Sequence, residues 1–273
     1  MTKHREAARE SFLRYAEQYD TANPMILHKI EHTFRVAELS EKYAAAMGMT
    51  QEDADCAWFF GLLHDFGRFE QARRYGTFVD SQSVDHAELG ADLLFRDGLI
   101  RLFPAEEYPE GTIAMAEPVI RLHNKLTLPE TLDARTRCFA EILRDADKTD
   151  IFRVIASIPF EDRIGSSKGR FTEEEGASPA IMACVAEHRC VPGKLRRSRF
   201  DGHIAHCCMA FEMVTEAGRR TVREEGWLQK LLAETDPAGK PIWTEKETEQ
   251  LRTLRSEIEK AWGVSLEGQE GPQ

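Results

Sequence analysis

Residues 59–68 read Phe59-Phe60-Gly61-Leu62-Leu63-His64-Asp65-Phe66-Gly67-Arg68, and this stretch decides how the chain is interpreted. The residues just before His64 are almost all apolar, which predicts a buried segment that ends at two adjacent side chains able to bind metal. A buried polar group without a partner costs on the order of a few kcal/mol. A metal ion would satisfy both side chains at once, so the remaining ligands should lie elsewhere in the chain.

Three further ligand-type side chains lie on apolar stripes at helical spacing and should therefore face the core. They are His32, His123 and Asp147. The stripe of His32 contains Met25, Val36, Leu39 and Tyr43. The stripe of His123 contains Ala116, Val119 and Ile120. The stripe of Asp147 contains Ala140, Leu143, Ile151 and Val154. A carboxylate on such a stripe is rarely tolerated unless it is paired or bound to metal. A further candidate, His86, follows Asp85 in the first turn of a helix that Asp85 and Glu88 are predicted to cap as a box.

The candidate ligands are four imidazoles and two carboxylates, namely His32, His64, Asp65, His86, His123 and Asp147. Taken singly, an inward histidine is more often a hydrogen-bonded core residue, and an inward aspartate is often an ion-pair partner or a cap. The ordered set instead favours a metal centre. Imidazole and carboxylate ligands suit iron, manganese, zinc or nickel. Six protein ligands predict two ions that share a bridging carboxylate, each keeping a position for water.

The order His, His-Asp, His, His, Asp resembles that of the HD-domain metal-dependent phosphohydrolases. The flanking residues agree over about residues 25 to 155. The segment His32-Thr33-Phe34-Arg35-Val36 resembles the family's first-histidine helix, and His64-Asp65-Phe66-Gly67-Arg68 resembles its "HD-hydrophobic-Gly-Lys" form. The segment Asp145-Ala146-Asp147-Lys148-Thr149-Asp150 is similar to the "ADK-x-D" segment around the last ligand.

The resemblance implies an all-α fold, a helical bundle around a metal site with additional C-terminal helices. It implies that the first of two divalent ions is held by His32, His64, Asp65 and Asp147. It also implies that Asp65 bridges to a second ion held by His86 and His123. Iron or manganese is expected, with zinc, nickel, cobalt and magnesium as alternatives.

The resemblance further implies a phosphohydrolase in which a metal-activated hydroxide attacks a phosphorus atom in line. The expected substrate is a phosphomonoester or phosphodiester, of a nucleotide or another small phosphorylated metabolite. Asp65, Arg68 and Lys148 are the predicted catalytic residues, and Arg68, Arg73 and Lys148 the predicted substrate-binding residues. Arg68 stands where many relatives have a lysine that contacts substrate. For Lys148 an ion pair with Asp145 or Asp150 is the alternative interpretation.

Two other functions remain open at this stage. Some relatives hold two irons with the same ligand set and use O₂ to oxidise a C–H or C–P bond, which would make the protein a mixed-valent diiron oxygenase. A non-catalytic HD domain that only binds a nucleotide is the third hypothesis. Relatives that act on cyclic dinucleotides usually carry a second histidine after the fifth ligand and a Gly-Tyr-Pro signature. This chain has Asn124 at that position and lacks the signature.

Composition limits the partners. The chain has 273 residues, 42% of them hydrophobic, and a formal net charge of -11, which opposes a role in coating nucleic acid. Mean hydropathy is -0.46. No apolar run is long enough to span a bilayer, and the charged N-terminus lacks a signal-peptide apolar region. We therefore expect a cytoplasmic protein that does not bind membranes. Whether it forms a homodimer is left open.

The pattern is almost entirely helical and predicts one domain, with an HD core over about residues 24–157 and a C-terminal helical extension over about 178–263. Gly67 and Gly76 predict breaks in a looser stretch after His64. Residues 161–179 predict a long loop, either a lid over the site or a plain surface loop. Helices are predicted over residues 4–20, 24–48, 50–64, 85–97, 112–124, 131–157, 179–189, 203–224 and 244–262. Asn23 is predicted to cap the second of these helices, and Thr50 with Asp53 to open the third.

Overall fold

The computed structural model describes residues 3–158, 175–236 and 238–266. Over these residues the regular secondary structure is helical, with only isolated bridge residues such as Thr235 and Pro241 besides, so the all-α prediction is confirmed. The chain divides into two compact units, Met1–Asp147 and Lys148–Gln273. The expectation of one domain with a C-terminal extension stays a prediction. The lid interpretation of residues 161–179 lies almost wholly outside the described residues.

The first unit contains six complete helices and the start of a seventh. The helices are α1 (Lys3–Ala16), α2 (Pro24–Ala46), α3 (Gln51–Leu63), α4 (Phe66–Tyr75), α5 (His86–Ala91), α6 (Thr112–Leu122) and α7 (Ala134–Ser157). A π-helical turn, Asp92–Arg96, continues α5. Among the described residues, no helix is both long enough and apolar enough to cross a membrane.

Over its described residues, 148–158, 175–236 and 238–266, the second unit contains the end of α7 and five further helices. These are α8 (Pro179–Ala186), α9 (Arg199–Cys207), α10 (Glu216–Glu225), α11 (Trp227–Leu231) and α12 (Glu245–Trp262). The prediction of one helix over 203–224 is wrong, because a 3₁₀ turn at Cys208–Glu212 and an extended Met213 separate α9 from α10. Thr215 then starts α10 as its N-cap, where its side chain accepts a hydrogen bond from the Gly218 amide.

Helix α3 is the central element of the first unit. Thr50 and Asp53 form the predicted capping box at its start, and every residue from Asp53 to Leu63 is buried. A helix that is apolar on all sides must be covered on all sides, which is how α3 carries His64 into the interior. Helix α2 begins with Asn23 as its cap, as predicted. The predicted place of Met25 on the buried stripe of α2 is wrong, since Met25 lies in the first turn and is 54% exposed.

Two glycines permit close helix contacts beside the His-Asp pair. A Cβ atom on Gly61 would lie 2.6 Å from the Cα atom of Ala37 in α2. A Cβ atom on Gly67 would lie 2.3 Å from the carbonyl oxygen of His86 and 2.5 Å from the amide nitrogen of Gly90. The prediction of a break at Gly67 is therefore wrong, because Gly67 lies inside α4 and allows α5 to approach. Gly76, with φ of 64°, does end α4.

Candidate metal centre

Three of the six predicted ligands lie in helices, and the other three lie in the short links beside helices. His32 lies in α2, His64 directly follows α3, and Asp65 precedes α4. His86 is the first residue of α5, His123 follows the last residue of α6, and Asp147 lies in α7. All six belong to the first unit, and the structure brings them together in two groups of donor atoms that meet at Asp65.

The first group contains His32, His64 and Asp147. His32 Nε2 lies 3.1 Å from Asp147 Oδ1 and 3.3 Å from His64 Nε2. His64 Nε2 lies 3.7 Å from Asp147 Oδ1. Both histidines are buried, and the side chain of Asp147 is 14% exposed. The three donor atoms therefore surround one small volume from three different helices.

The second group contains His86 and His123. Their Nε2 atoms lie 3.0 Å apart. Both rings are buried, and they pack edge to face at a centroid distance of 4.9 Å. The family resemblance implied that these two histidines share the second ion, and the structure places their rings side by side.

Asp65 lies between the two groups and offers one carboxylate oxygen to each. Its Oδ2 atom lies 3.5 Å from His64 Nε2 and 3.6 Å from His32 Nε2. Its Oδ1 atom lies 3.4 Å from His86 Nε2 and 3.9 Å from His123 Nε2. The carboxylate is buried. Each oxygen of this one carboxylate therefore faces a separate pair of imidazole nitrogens.

The second nitrogen of three of these rings has a fixed partner. His64 Nδ1 lies 2.7 Å from the carbonyl oxygen of Gly61, and His123 Nδ1 lies 2.7 Å from that of Ile120. His86 Nδ1 lies 2.7 Å from Asp80 Oδ2. Because a carbonyl or carboxylate oxygen can only accept, each Nδ1 donates its proton there, and each Nε2 is the ring nitrogen left to act as a ligand.

The donor chemistry fits divalent ions. With Nδ1 engaged in both rings, the remaining Nε2 atoms of His86 and His123 face each other across 3.0 Å. Two donors that each lie about 2.1 Å from one ion, at angles between about 90° and 110°, are separated by about 3.0 to 3.4 Å. The nitrogen-to-nitrogen distances in both groups fall in this range. The residues present therefore fit divalent metal.

The electrostatics favour the ligand forms of these residues. Burial lowers the pKa of His64, and burial together with His86 and His64 lowers the pKa of His123 to about 3, so both rings are neutral near pH 7. Burial alone would raise the pKa of Asp65, but Lys29, His64 and Arg68 hold it well below its usual range. The pKa of Asp147 is also lowered, since the hydrogen bond and charge of His32 outweigh its burial. Neutral imidazoles and ionised carboxylates are the forms that bind metal.

Two cations touch the bridging carboxylate. Lys29 Nζ lies 2.7 Å from Asp65 Oδ2, and the Lys29 side chain is 20% exposed. Arg68 Nε lies 3.5 Å from Asp65 Oδ1. Sequence reasoning predicted Arg68 here and missed Lys29. Lys29 lies three residues before His32, so the i, i+3 spacing on α2 could have indicated that both side chains share one face.

Asp80 is a second residue that sequence reasoning missed. It lies in a 3₁₀ turn, Asp80–Gln82, in the segment between α4 and α5, where its carboxylate accepts from His86. Burial alone would raise the pKa of Asp80, but His86 and Arg68 hold it well below its usual range. Asp85 caps α5 by accepting from the amides of Ala87 and Glu88, but the predicted capping box is wrong, because the Glu88 carboxylate pairs with Arg121 and Lys125.

The remaining predicted site residues have their contacts elsewhere. The Arg73 side chain is 57% exposed and pairs with Glu70, and its guanidinium lies over the ring of Tyr19. Lys148 belongs to the second unit, where its buried Nζ lies 3.0 Å from Glu212 Oε2. That pair replaces the Asp145 or Asp150 partner considered from the sequence. Their predicted roles in catalysis and substrate binding stay predictions.

The comparisons with known proteins agree with this geometry. Residues 30–151 match the family model described as HD domain. The matched segment includes all six ligand-type residues, from His32 to Asp147. No curated protein and no solved structure gives a significant match to the chain.

Proposed function

Residues 30–151 of this chain belong to the HD-domain family, and from that premise we propose that the protein is a metal-dependent phosphohydrolase with a two-ion centre. The first ion would be held by His32, His64, Asp65 and Asp147. The second would be held by Asp65, His86 and His123. Iron and manganese suit this nitrogen and oxygen donor set best, with zinc, nickel, cobalt and magnesium as alternatives.

One observation carries the proposal. The two oxygens of the buried Asp65 face two separate groups of imidazole nitrogens, at 3.5 Å and 3.6 Å on one side and 3.4 Å and 3.9 Å on the other. Lys29 donates to Oδ2 of this carboxylate, whereas the Nε2 atoms of His64, His86 and His123 that face it are the nitrogens left over once each Nδ1 has donated to its own partner. A bridging role explains both the burial of the carboxylate and the orientation of the rings.

When bound, two such ions supply Lewis acidity and lower the pKa of the water that they bind. The chain itself contributes burial, which strengthens every charge interaction in the centre. It also contributes the positive charges of Lys29 and Arg68 at the two oxygens of Asp65. These cations would offset the negative charge that develops on a phosphoryl group during displacement.

The proposed substrate is a phosphomonoester or phosphodiester of a nucleotide or another small phosphorylated metabolite. A small anion is consistent with two cations at a centre that is otherwise enclosed. The net charge of -11 disfavours a long polyanion, which needs an extended basic surface. Contacts of Arg73 and Lys148 with the substrate also remain a proposal. The carboxylate partners that both side chains already have count against it.

The test compares wild type with Asp65→Asn in two measurements. Elemental analysis of protein purified without chelator should give about two ions for wild type and a loss of both for the variant. A panel of phosphoesters, assayed without O₂, should give hydrolysis by wild type and at least a thousandfold loss in the variant. Asp97→Asn changes an exposed aspartate outside the centre and serves as the matched control. An active, metal-free Asp65→Asn protein would overturn the proposal, and turnover that requires O₂ would favour the oxygenase chemistry instead.

A further inference from the structure

Asp80 connects two residues of the centre that lie on different helices. Its Oδ2 atom accepts the proton of His86 Nδ1 at 2.7 Å. Its Oδ1 atom accepts from Arg68 Nη1 at 2.8 Å and from Gln71 Nε2 at 2.9 Å. The carboxylate therefore has donors on both oxygens, with α4 on one side and the first residue of α5 on the other.

The guanidinium of Arg68 also binds the connecting segment that contains Asp80, residues 78–84. Arg68 Nη1 also donates to the carbonyl oxygen of Phe78 at 2.6 Å and to Gln71 Oε1 at 2.9 Å. Gln71 Nε2 donates in turn to Ser83 Oγ and to the carbonyl oxygen of Val84, each at 2.9 Å. Two side chains of α4 thus fix the backbone of residues 78–84, and with it the position of Asp80.

We propose that Asp80 is a positioning residue that orients His86 for the second ion, and that Arg68 acts on the same ion through Asp80. The inference rests on the proposed two-ion centre and goes further by giving Arg68 a role that does not need contact with substrate. Asp80 fixes the tautomer of His86 and increases the basicity of its Nε2 atom. That atom lies 3.4 Å from Asp65 Oδ1 and 3.0 Å from His123 Nε2.

The two groups differ in how this support is built. In the second group, His123 Nδ1 donates to a carbonyl oxygen of its own helix, α6, while His86 Nδ1 depends on a side chain six residues earlier in a connecting segment. His64, in the first group, also uses a carbonyl of its own helix. Loss of Asp80 should therefore weaken the second ion selectively.

The experiment measures Mn²⁺ binding to protein stripped of metal, by titration that resolves the two binding steps. Asp80→Asn retains one acceptor oxygen and gains a donor, so it cannot accept from both His86 and Arg68. We expect the weaker of the two binding steps, which we assign to the second ion, to lose about 10- to 100-fold in affinity. The tighter step, assigned to the first ion, should be unchanged. Asp80→Glu keeps the carboxylate and should lose less than Asp80→Asn. Arg68→Met should weaken the same step, and Asp97→Asn should bind as wild type does.

Each result has a distinct meaning. If Asp80→Asn and Arg68→Met both bind two ions as tightly as wild type, the positioning role is overturned and the proposed centre stands. If both steps weaken equally, and the thermal midpoint of the metal-free variants falls with them, Asp80 is structural and the inference is again overturned. If wild type binds no Mn²⁺, iron or zinc, the proposed function itself fails. Arg68→Met provides an independent test if Asp80→Asn does not fold.

Discussion

At the scale of single residues, Asp65 has a charge that the fold must neutralise whether or not metal is bound. The carboxylate is buried, and without ions its nearest cation is Lys29 at 2.7 Å from Oδ2. The same oxygen faces His32 and His64. Lys29 and an ion in the first group would therefore both interact with Asp65 Oδ2. Each reduces the free-energy cost of burying that charged oxygen without a partner.

We predict that Lys29→Met destabilises the metal-free protein more than the metal-loaded protein. Breaking a fully buried ion pair costs about 3 to 5 kcal/mol, and the partial exposure of Lys29 reduces the expected loss to about 2 kcal/mol. With Mn²⁺ bound, the ions neutralise Asp65 and the loss should shrink. Urea unfolding with chelator and with Mn²⁺ measures both values. Lys42→Met, on an exposed part of the same helix, is the control, and an equal loss in both conditions would contradict the prediction.

At the scale of elements, the centre depends on how closely α4 and α5 approach. Gly67 in α4 faces the backbone of His86 and Gly90 in α5, and a Cβ atom there would lie 2.3 Å from the carbonyl oxygen of His86. Backbone atoms at that distance cannot move aside as a flexible side chain can. The position of His86, and through it the second group of donors, therefore depends on a glycine that has no chemistry of its own.

We predict that Gly67→Ala destabilises the protein by about 1 to 3 kcal/mol and weakens metal binding, because α5 must shift away from α4. Gly202→Ala is the matched control. Gly202 also lies inside a helix, and an added Cβ would meet nothing within 4 Å. There the same substitution should be neutral or stabilising by about 0.5 to 1 kcal/mol. Thermal unfolding and Mn²⁺ titration of the two variants, compared side by side, check the prediction; similar behaviour of both would contradict it.

At the scale of the whole molecule, all six ligand-type residues lie in one of the two compact units. The second unit has its own hydrophobic core, in which residues such as Phe200, Leu254 and Trp262 are buried. Ions that bind only the folded state stabilise whatever must be folded to form their site. The effect of metal on local opening should therefore differ between the units.

We predict that Mn²⁺ slows amide hydrogen exchange across residues 24–147 and leaves residues 179–266 nearly unchanged. The largest effects are expected next to the ligands in α2, α5 and α6. Exchange followed by mass spectrometry on peptides, with Mn²⁺ or with chelator, measures this. Asp65→Asn should show no response to Mn²⁺ in either unit. Equal protection of both units in wild type would contradict the prediction.

The sequence by itself determined the all-α class, the helix caps at Asn23 and Thr50, and the inward direction of His32 and His123. It did so because helical periodicity and capping are local, so a one-dimensional pattern contains them. It also predicted which six residues should meet. It erred at Gly67, where the reason for a glycine lies in another helix, and over residues 203–224, where Thr215 begins a new helix.

The family resemblance implied how the six residues divide, and only the tertiary structure decided how they are placed and what supports them. The two-sided position of Asp65 depends on the relative placement of α2, α3, α5 and α6, which no spacing along the chain encodes. Lys29 was missed because its partner, Asp65, lies 36 residues away across a helix contact. Asp80 was missed because it reaches His86, six residues on, from a connecting segment. Arg68 was predicted from its position in a motif. The structure adds that its guanidinium binds Asp80 and Phe78, because side-chain hydrogen bonds form only after the helices have packed.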